Sequence, residues 1–562
     1  MFTSYERSRK WAITIGSASL ALIVGLALIG RLATPQSPDH QDESTTPKSP
    51  GQKGSVPGQV PAQHQQAIES PVSPAKSAKP ATTLSYANGT EWWQAGSGKP
   101  FPAAIVYHDP SGTIGILNTS GPIDTNGHAF FTPLGTNGRA CVTCHQPSDG
   151  MSVSLDTIRE RWHATKGEDP LFDPVDGSNC PSLPQTAESS HSLLLNRGLF
   201  RIFLPWPPKA ADGTPIKPEF SIEVVRDPTG CNNDPKYGLH SSNPMVSVYR
   251  RPRVVANMKY VTNGSGLFSP KQLAMPMGVD PETGKPVGMN MMADARDLTL
   301  KGQATDAVLN HEQARKAPTK EQLQQIQDFE MQIFSAQNLD SAAGTLVAPG
   351  GPTELGPESL AREKPGILGD NLGTPVFGNF DMWAMAPSSE SPEQQAARES
   401  IARGFDVFFK RPFWIRDSVH INTIGLGNPV KRTCATCHNA RMTGQDLVSG
   451  WVDLGTTNLP WSGDQPDLPL FKITCDATAP AHAFLGRVIY THDPGRALIS
   501  GKCFDVGTIV MQQFRGLAAR APYFSNGSAQ SLRELVDFYD RRYNIAFTDQ
   551  EKQDLINFLK TL

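Results

Sequence analysis

No long basic run interrupts this chain: 51 lysines and arginines are spread among 54 aspartates and glutamates over 562 residues, for a net charge of -3. A nucleic-acid partner needs a concentrated positive face, so that class is set aside. Cysteine is sparse, at eight residues, and no second Cys-x-x-Cys pair stands at the short spacing of a structural zinc site. Large apolar residues are almost missing from Ala33 to Thr83, where Pro, Ser, Gln and Lys dominate. Such a stretch cannot bury enough surface to offset ordering, which predicts a disordered tether. A clean Ala-x-Ala exit is missing after the apolar run from Trp11 to Ile29, which follows Arg7, Arg9 and Lys10. About twenty apolar residues span a bilayer's hydrocarbon core, so the run reads as an uncleaved anchor with its basic flank kept inside. A cleaved signal peptide is the alternative.

What is present is organised around Cys141-Val142-Thr143-Cys144-His145 and Cys434-Ala435-Thr436-Cys437-His438. A Cys-x-x-Cys pair followed directly by histidine fits covalent attachment of a c-type haem. The thiols form thioethers to the vinyl groups and the histidine turns onto the iron. Two c-type haems are therefore expected, with His145 and His438 as iron ligands. A redox dithiol and a zinc site are the alternatives. Four cysteines remain, Cys180, Cys231, Cys475 and Cys503. In an exported chain an even remainder points to disulfides, most simply Cys180 to Cys231 and Cys475 to Cys503, against four buried free thiols. His163 ends a near-helical stretch from Leu155; it is a candidate for the opposite face of the first iron, or else an exposed or core-edge histidine. Met275, Met277, Met289, Met291 and Met292 read better as a loop packed on haem than as ligands, because methionine is chiefly a flexible filler.

Apolar spacing predicts helices over Leu298–His311, from Thr319 through Phe334, over Ala396–Phe409 and from Asp549 to the terminus. Thr319 with Gln322 and Ser531 with Glu534 have capping-box spacing. Phe220 to Val225 alternates as a strand does. Glycine and proline recur between Gly344 and Pro375, which sets a boundary there. The expected organisation is an anchor or signal segment at 1–32, a linker at 33–83, and haem domains at 84–345 and 346–562. The expected fold class is mainly α, with long irregular loops.

Both motifs, together with Ala521-Pro522-Tyr523-Phe524-Ser525-Asn526-Gly527, carry a resemblance. Over roughly residues 130–562 the chain resembles the bacterial di-haem cytochrome c peroxidase and MauG superfamily, most closely its long members. The resemblance implies two cytochrome c-like domains, a peroxide-reactive first haem and a second that handles electron entry. It places Tyr539 where the family helix faces the second iron, as in MauG; a phenolate there would stabilise a high oxidation state. The alternative is a core tyrosine. The family's acid-base glutamate falls on Gln313, and the nearest acid is Glu312. A glutamine cannot carry a proton, so His311 and Glu312 are the candidate catalytic pair if the helix register differs. The family's Trp-Asp-Gly is missing; the matching region reads Tyr260-Val261-Thr262-Asn263-Gly264 or Met291-Met292-Ala293-Asp294.

The expected function is reduction of hydrogen peroxide, or its use to oxidise another substrate, with electron relay between haems. An electron-transfer protein without peroxidase activity and an oxygenase acting on an apolar substrate are the alternatives. Expected partners are hydrogen peroxide, a small cytochrome or cupredoxin donor, and a membrane. Calcium is compatible with the sequence but nothing indicates it. The expected location is the periplasmic side of the inner membrane, or the soluble periplasm after cleavage.

Overall fold

The computed structural model describes residues 85–87, 92–210, 212–262, 278–287, 291–347, 351–352, 355–362, 380–385, 391–436, 438 and 451–562. The expected anchor, the tether, Met275, Met277, Met289 and Cys437 lie outside these residues.

Ala104–Asp109 and Gly112–Asn118 are rich in β-branched residues, which suit a pleated backbone. They form an antiparallel hairpin in which Ile105 faces Ile116. The two-residue turn is fixed by Ser111 N donating to the Asp109 carboxylate at 2.7 Å. Gly112–Asn118 pairs on its other edge with Ile333–Asp340, bringing Leu117 opposite Phe334. The helix before that strand, Lys320–Gln332, starts at a reciprocal capping box between Thr319 and Gln322. It stops because Ile333 turns extended, and the chain enters the sheet. The helix thereby holds Phe329 against Phe130 and Phe131, with ring centroids 4.4 and 5.0 Å apart. Val142 of the first motif donates its N–H to Phe130 O at 3.1 Å, so the motif rests on this aromatic core.

The C-terminal half is built on two crossing helices, Pro392–Lys410 and Asp549–Lys560. Ser391 caps the first of them, with proline in the opening turn. A Cβ on Gly404 would stand 1.9 Å from Asp554 O. Only glycine lets the helices approach this closely. Around the crossing pack the buried Ile401, Phe408 and Phe558. A three-stranded sheet then joins distant parts of the chain: Leu470–Cys475 lies between Phe220–Arg226 and Val488–Thr491, with Ile473 facing both Ile222 and Ile489. Disulfides link Cys180 to Cys231 and Cys475 to Cys503 across 51 and 28 residues. Loops of that length restrict the unfolded chain by about 4 kcal/mol each. Residues 79–562 make one compact unit.

The fold is mixed α and β, which corrects the mainly α expectation, and no cytochrome c-like haem-domain fold is evident. The error has a physical source. Ile333 and Phe334 continue the helical spacing before them and some other strands show no alternation of their own, whereas partners more than two hundred residues away draw such runs into sheets. Among the described residues no helix is long and apolar enough to cross a membrane. The described residues thus supply no spanning element for the expected membrane partner and single-anchor periplasmic topology, which are not carried forward.

Candidate functional site

Cys141–Cys144 forms a single helical turn. Ala140 N donates to Thr143 Oγ1 at 3.0 Å, and His145 N donates to Cys141 O at 3.1 Å. Gln146 locks the turn by exchanging two bonds with the backbone of Trp93, at 2.8 and 3.0 Å. The His145 ring sets Nδ1 3.3 Å from Met151 O. With the proton assigned to Nδ1, Nε2 keeps its lone pair for a metal or an acid. Burial pushes His145 down to about 4, so the imidazole is neutral.

Cys141, Cys144 and His145 line a cavity of about 180 Å³, and so do His311 and Glu312. The loop just before the motif brings the pair there. Leu134 N donates to Glu312 Oε2 at 3.0 Å, Thr136 N to Glu312 O at 3.0 Å, and Asn137 Nδ2 to His311 O at 2.9 Å. A Cβ on Gly135 would stand 1.7 Å from Glu312 O, so glycine is needed for that embrace. Glu312 Oε1 lies 3.8 Å from Cys141 Sγ. Burial pushes the Glu312 carboxyl up to about 7, where it exchanges protons freely near neutrality. His311 sits at the C-terminus of the helix Leu300–Asn310, and its Nδ1 contacts Asp176, which also pairs with Arg139. Burial alone would raise Asp176, but Arg139 and His311 outweigh it and hold the carboxylate below its usual range. Gln313, the strict positional match to the family's acid, is exposed and donates to Asn310 O.

In the second motif Cys434–Thr436 forms a short 3-10 turn, and His438 N donates to Cys434 O at 3.0 Å. His438 is buried, stacks on Phe514 at 4.1 Å, and among the described residues has no hydrogen-bond partner for Nδ1. Burial pushes it down to about 4. His438, Cys434 and Tyr539 line a cavity of about 60 Å³ whose other walls, including Phe408, Leu535 and Leu555, carry no charged group. A third cavity, about 80 Å³, is also lined by His438 and Tyr539. It shares Arg251, Pro252, Met511, Gln512 and Gln513 with the first cavity. Those five residues form a common wall.

His163 is exposed on the helix Leu155–Thr165 and lines none of these cavities. Met291 and Met292 line the first cavity. Among the described residues no group of three or more His, Cys, Asp or Glu side chains could hold a metal ion, which corrects the expectation of a metal-binding cluster. The same finding leaves the zinc alternative without a site at Cys141–His145. Burial pushes Cys144 up to about 11 and Cys434 up to about 12. A redox dithiol needs the opposite shift.

Three participants escaped the sequence reading. Arg139 and Asp176 are drawn together from irregular segments that show no period. Glu330 is 2 % exposed, lines the first cavity, has no partner at Oε2, and is pushed up to about 8 by burial. Its signal was available: it stands four residues after Ile326 on the buried stripe of its helix, where a carboxylate does not belong without a purpose.

No family model matches the chain. A stretch of 150 residues is 29% identical to the cytochrome-c peroxidase IdrP1 of Pseudomonas sp. (strain SCT), covering 24% of this chain and 37% of that protein. The chain thus spans well under half of the curated relative it matches. The likeness supports a distant superfamily link to a peroxidase, and with it an oxidoreductase in general terms.

Proposed function

We propose that this chain is a haem-dependent oxidoreductase that reacts with hydrogen peroxide, carrying one c-type haem on Cys141, Cys144 and His145 and another on Cys434, Cys437 and His438. The observation that carries the reading is the first cavity, where one buried wall system presents the complete motif together with Glu312, a carboxyl poised near neutrality. Neutral, buried His145 and His438 suit a metal ligand. Protonated thiols at Cys144 and Cys434 suit attachment better than disulfide exchange. When bound, a haem at the first motif would supply the redox centre for cleaving an O–O bond.

The protein's own contribution is proton handling. Cleaving hydrogen peroxide requires one oxygen to lose a proton and the other to gain one. Glu312 Oε1, next to Cys141 Sγ, can take and return that proton. His311 has Nδ1 committed to Asp176, so Nε2 is its exchangeable atom. Arg139 fixes Asp176 in turn and orients the histidine. Among the described residues the second cavity's lining has no comparable acid or base, which suits electron relay rather than peroxide chemistry.

Stopped-flow mixing with hydrogen peroxide tests the reading. The parent should react, and the Glu312→Gln variant with unchanged haem content should react much more slowly. A parent that is inert to peroxide, or a double replacement at His311 and Glu312 that keeps the parent rate, would overturn it.

A further inference from the structure

Three guanidinium groups gather at the common wall without a carboxylate to meet them. Arg251 lines both the first and third cavities, Arg253 the first, and Arg520 the third. Arg251 and Arg520 are 7% and 8% exposed. Their hydrogen bonds run to neutral backbone carbonyls. Arg251 NH2 donates to Val153 O at 2.7 Å and Arg520 O at 3.0 Å. Arg253 donates to Val510 O at 3.0 Å and Met511 O at 2.7 Å. Arg520 donates to Arg515 O at 3.3 Å and to Gln513 O. Arg251 NH1 has no partner, and among the described residues none of the three makes an ion pair.

Three other buried arginines are paired with carboxylates, Arg139 with Asp176, Arg161 with Asp169, and Arg250 with Asp294 and Asp493, while the buried Arg201 donates to Val175 O and Ser247 Oγ. The acids that act on the cluster are already engaged. Asp149 acts on Arg251 but accepts from Ser154 N and Thr157 Oγ1, and burial pushes it up to about 6. Asp294 acts on Arg253 but is bound by Arg250 and Arg296. Tyr523 faces Arg251 and Arg520 as a neutral phenol. Burial and mutual repulsion depress Arg251 and Arg253 to about 9 and about 10, and a buried charge left unpaired is among the costliest features a fold can carry.

We propose that Arg251, Arg253 and Arg520 form a buried anion site for a dicarboxylate. The planar guanidinium fork matches a carboxylate bidentately. Beside the arginines, Met258 and Val261 in the first cavity and Val452 and Leu454 in the third supply apolar wall, and the first cavity also presents His311, Glu312 and Glu330. Two sources share this chemistry: a diffusible dicarboxylate, or the paired carboxylate side chains of a tetrapyrrole held at either motif. The first does not depend on the haem reading; the second rests on it.

The test uses the full chain as purified. Isothermal titration with succinate should show saturable binding that weakens at least about tenfold in Arg251→Gln and Arg520→Gln, since each variant loses charge-assisted bonds. That result assigns a diffusible dicarboxylate. If succinate gives no isotherm but the haem carboxylate-bending bands in resonance Raman spectra shift in the same variants, the tetrapyrrole is the occupant. Arg251→Lys, which keeps the charge and loses the fork, stands in if a glutamine variant does not fold. Silence in both measurements overturns the proposal. Protein without haem leaves succinate as the sole arbiter, which separates this failure from failure of the peroxidase reading.

Discussion

His145 and His438 close the same turn, each donating its backbone N–H to the first cysteine of its motif, at 3.1 and 3.0 Å, yet the walls that face them differ in kind. The first cavity holds Glu312, Glu330, His311 and several arginines; the second is aromatic and aliphatic around Tyr539. Like motifs thus fix the backbone of the histidine and leave open what its ring meets: His145 Nδ1 has Met151 O at 3.3 Å, and His438 Nδ1 has no partner among the described residues. Proton chemistry needs ionisable groups held off their usual pKa values. The first cavity holds two such carboxyls, Glu312 and Glu330, whereas the shifted groups lining the second are the motif's own Cys434 and His438. The difference argues for a division of labour, with peroxide handled at one motif and electrons at the other.

The sharpest way to break this comparison is to make the first cavity resemble the second. Replacing Glu312 with Gln should lower the peroxide rate by about 100-fold, at the lower end of the range positioned acid-base groups contribute. Stopped-flow spectra at matched haem content would measure it. The parent rate should also bend with pH, because Glu312 titrates near 7 and must be a carboxylate to accept a proton. The expected rise is roughly tenfold between about pH 6 and about pH 8, and the glutamine variant should show none.

Glu330 sharpens the contrast through stability. Its folded pKa, pushed up to about 8 from an ordinary 4.5, means that folding favours the protonated form. Stability present below about pH 4.5 is therefore lost as the pH climbs through 8. Glu330→Gln should remove that loss, leaving the variant more stable than the parent by on the order of 1–3 kcal/mol above pH 8, and equal to it in acid. Urea unfolding at the two pH values would decide. Tyr539→Phe should have the smallest effect, changing the peroxide rate by less than about threefold, since the second cavity has no role in proton transfer. A larger loss would place Tyr539 in the chemistry and end the division of labour.

The parts of this molecule that are legible in sequence are the local ones. Each five-residue motif contains its own turn, and the Thr319–Gln322 box is made within four residues. Ser531 also caps its helix, but Glu534 turns its carboxylate to Gln530 N instead of completing the box. The Phe220–Arg226 strand shows its alternation, yet its partner Leu470–Cys475 does not announce itself. Fold class went astray at such pairings. At Ile333, for example, the helical pattern runs on to Phe334, while the hydrogen bonds of Gly112–Asn118 claim the chain as strand. Within the site, the pair at 311 and 312 was legible as chemistry but not as geometry. It takes the Leu134–Asn137 loop to turn Glu312 inward and leave Gln313 outside. The arginine wall joins residues some 270 positions apart, and no window of sequence contains it.

The most direct test of the central claim is the intact mass of the denatured, purified full chain, read beside its pyridine haemochrome spectrum. Two covalently attached haems per chain are expected, falling to one when Cys141 and Cys144 are replaced by Ser. A chain whose denatured mass carries no haem, or only one before any replacement, would contradict the account.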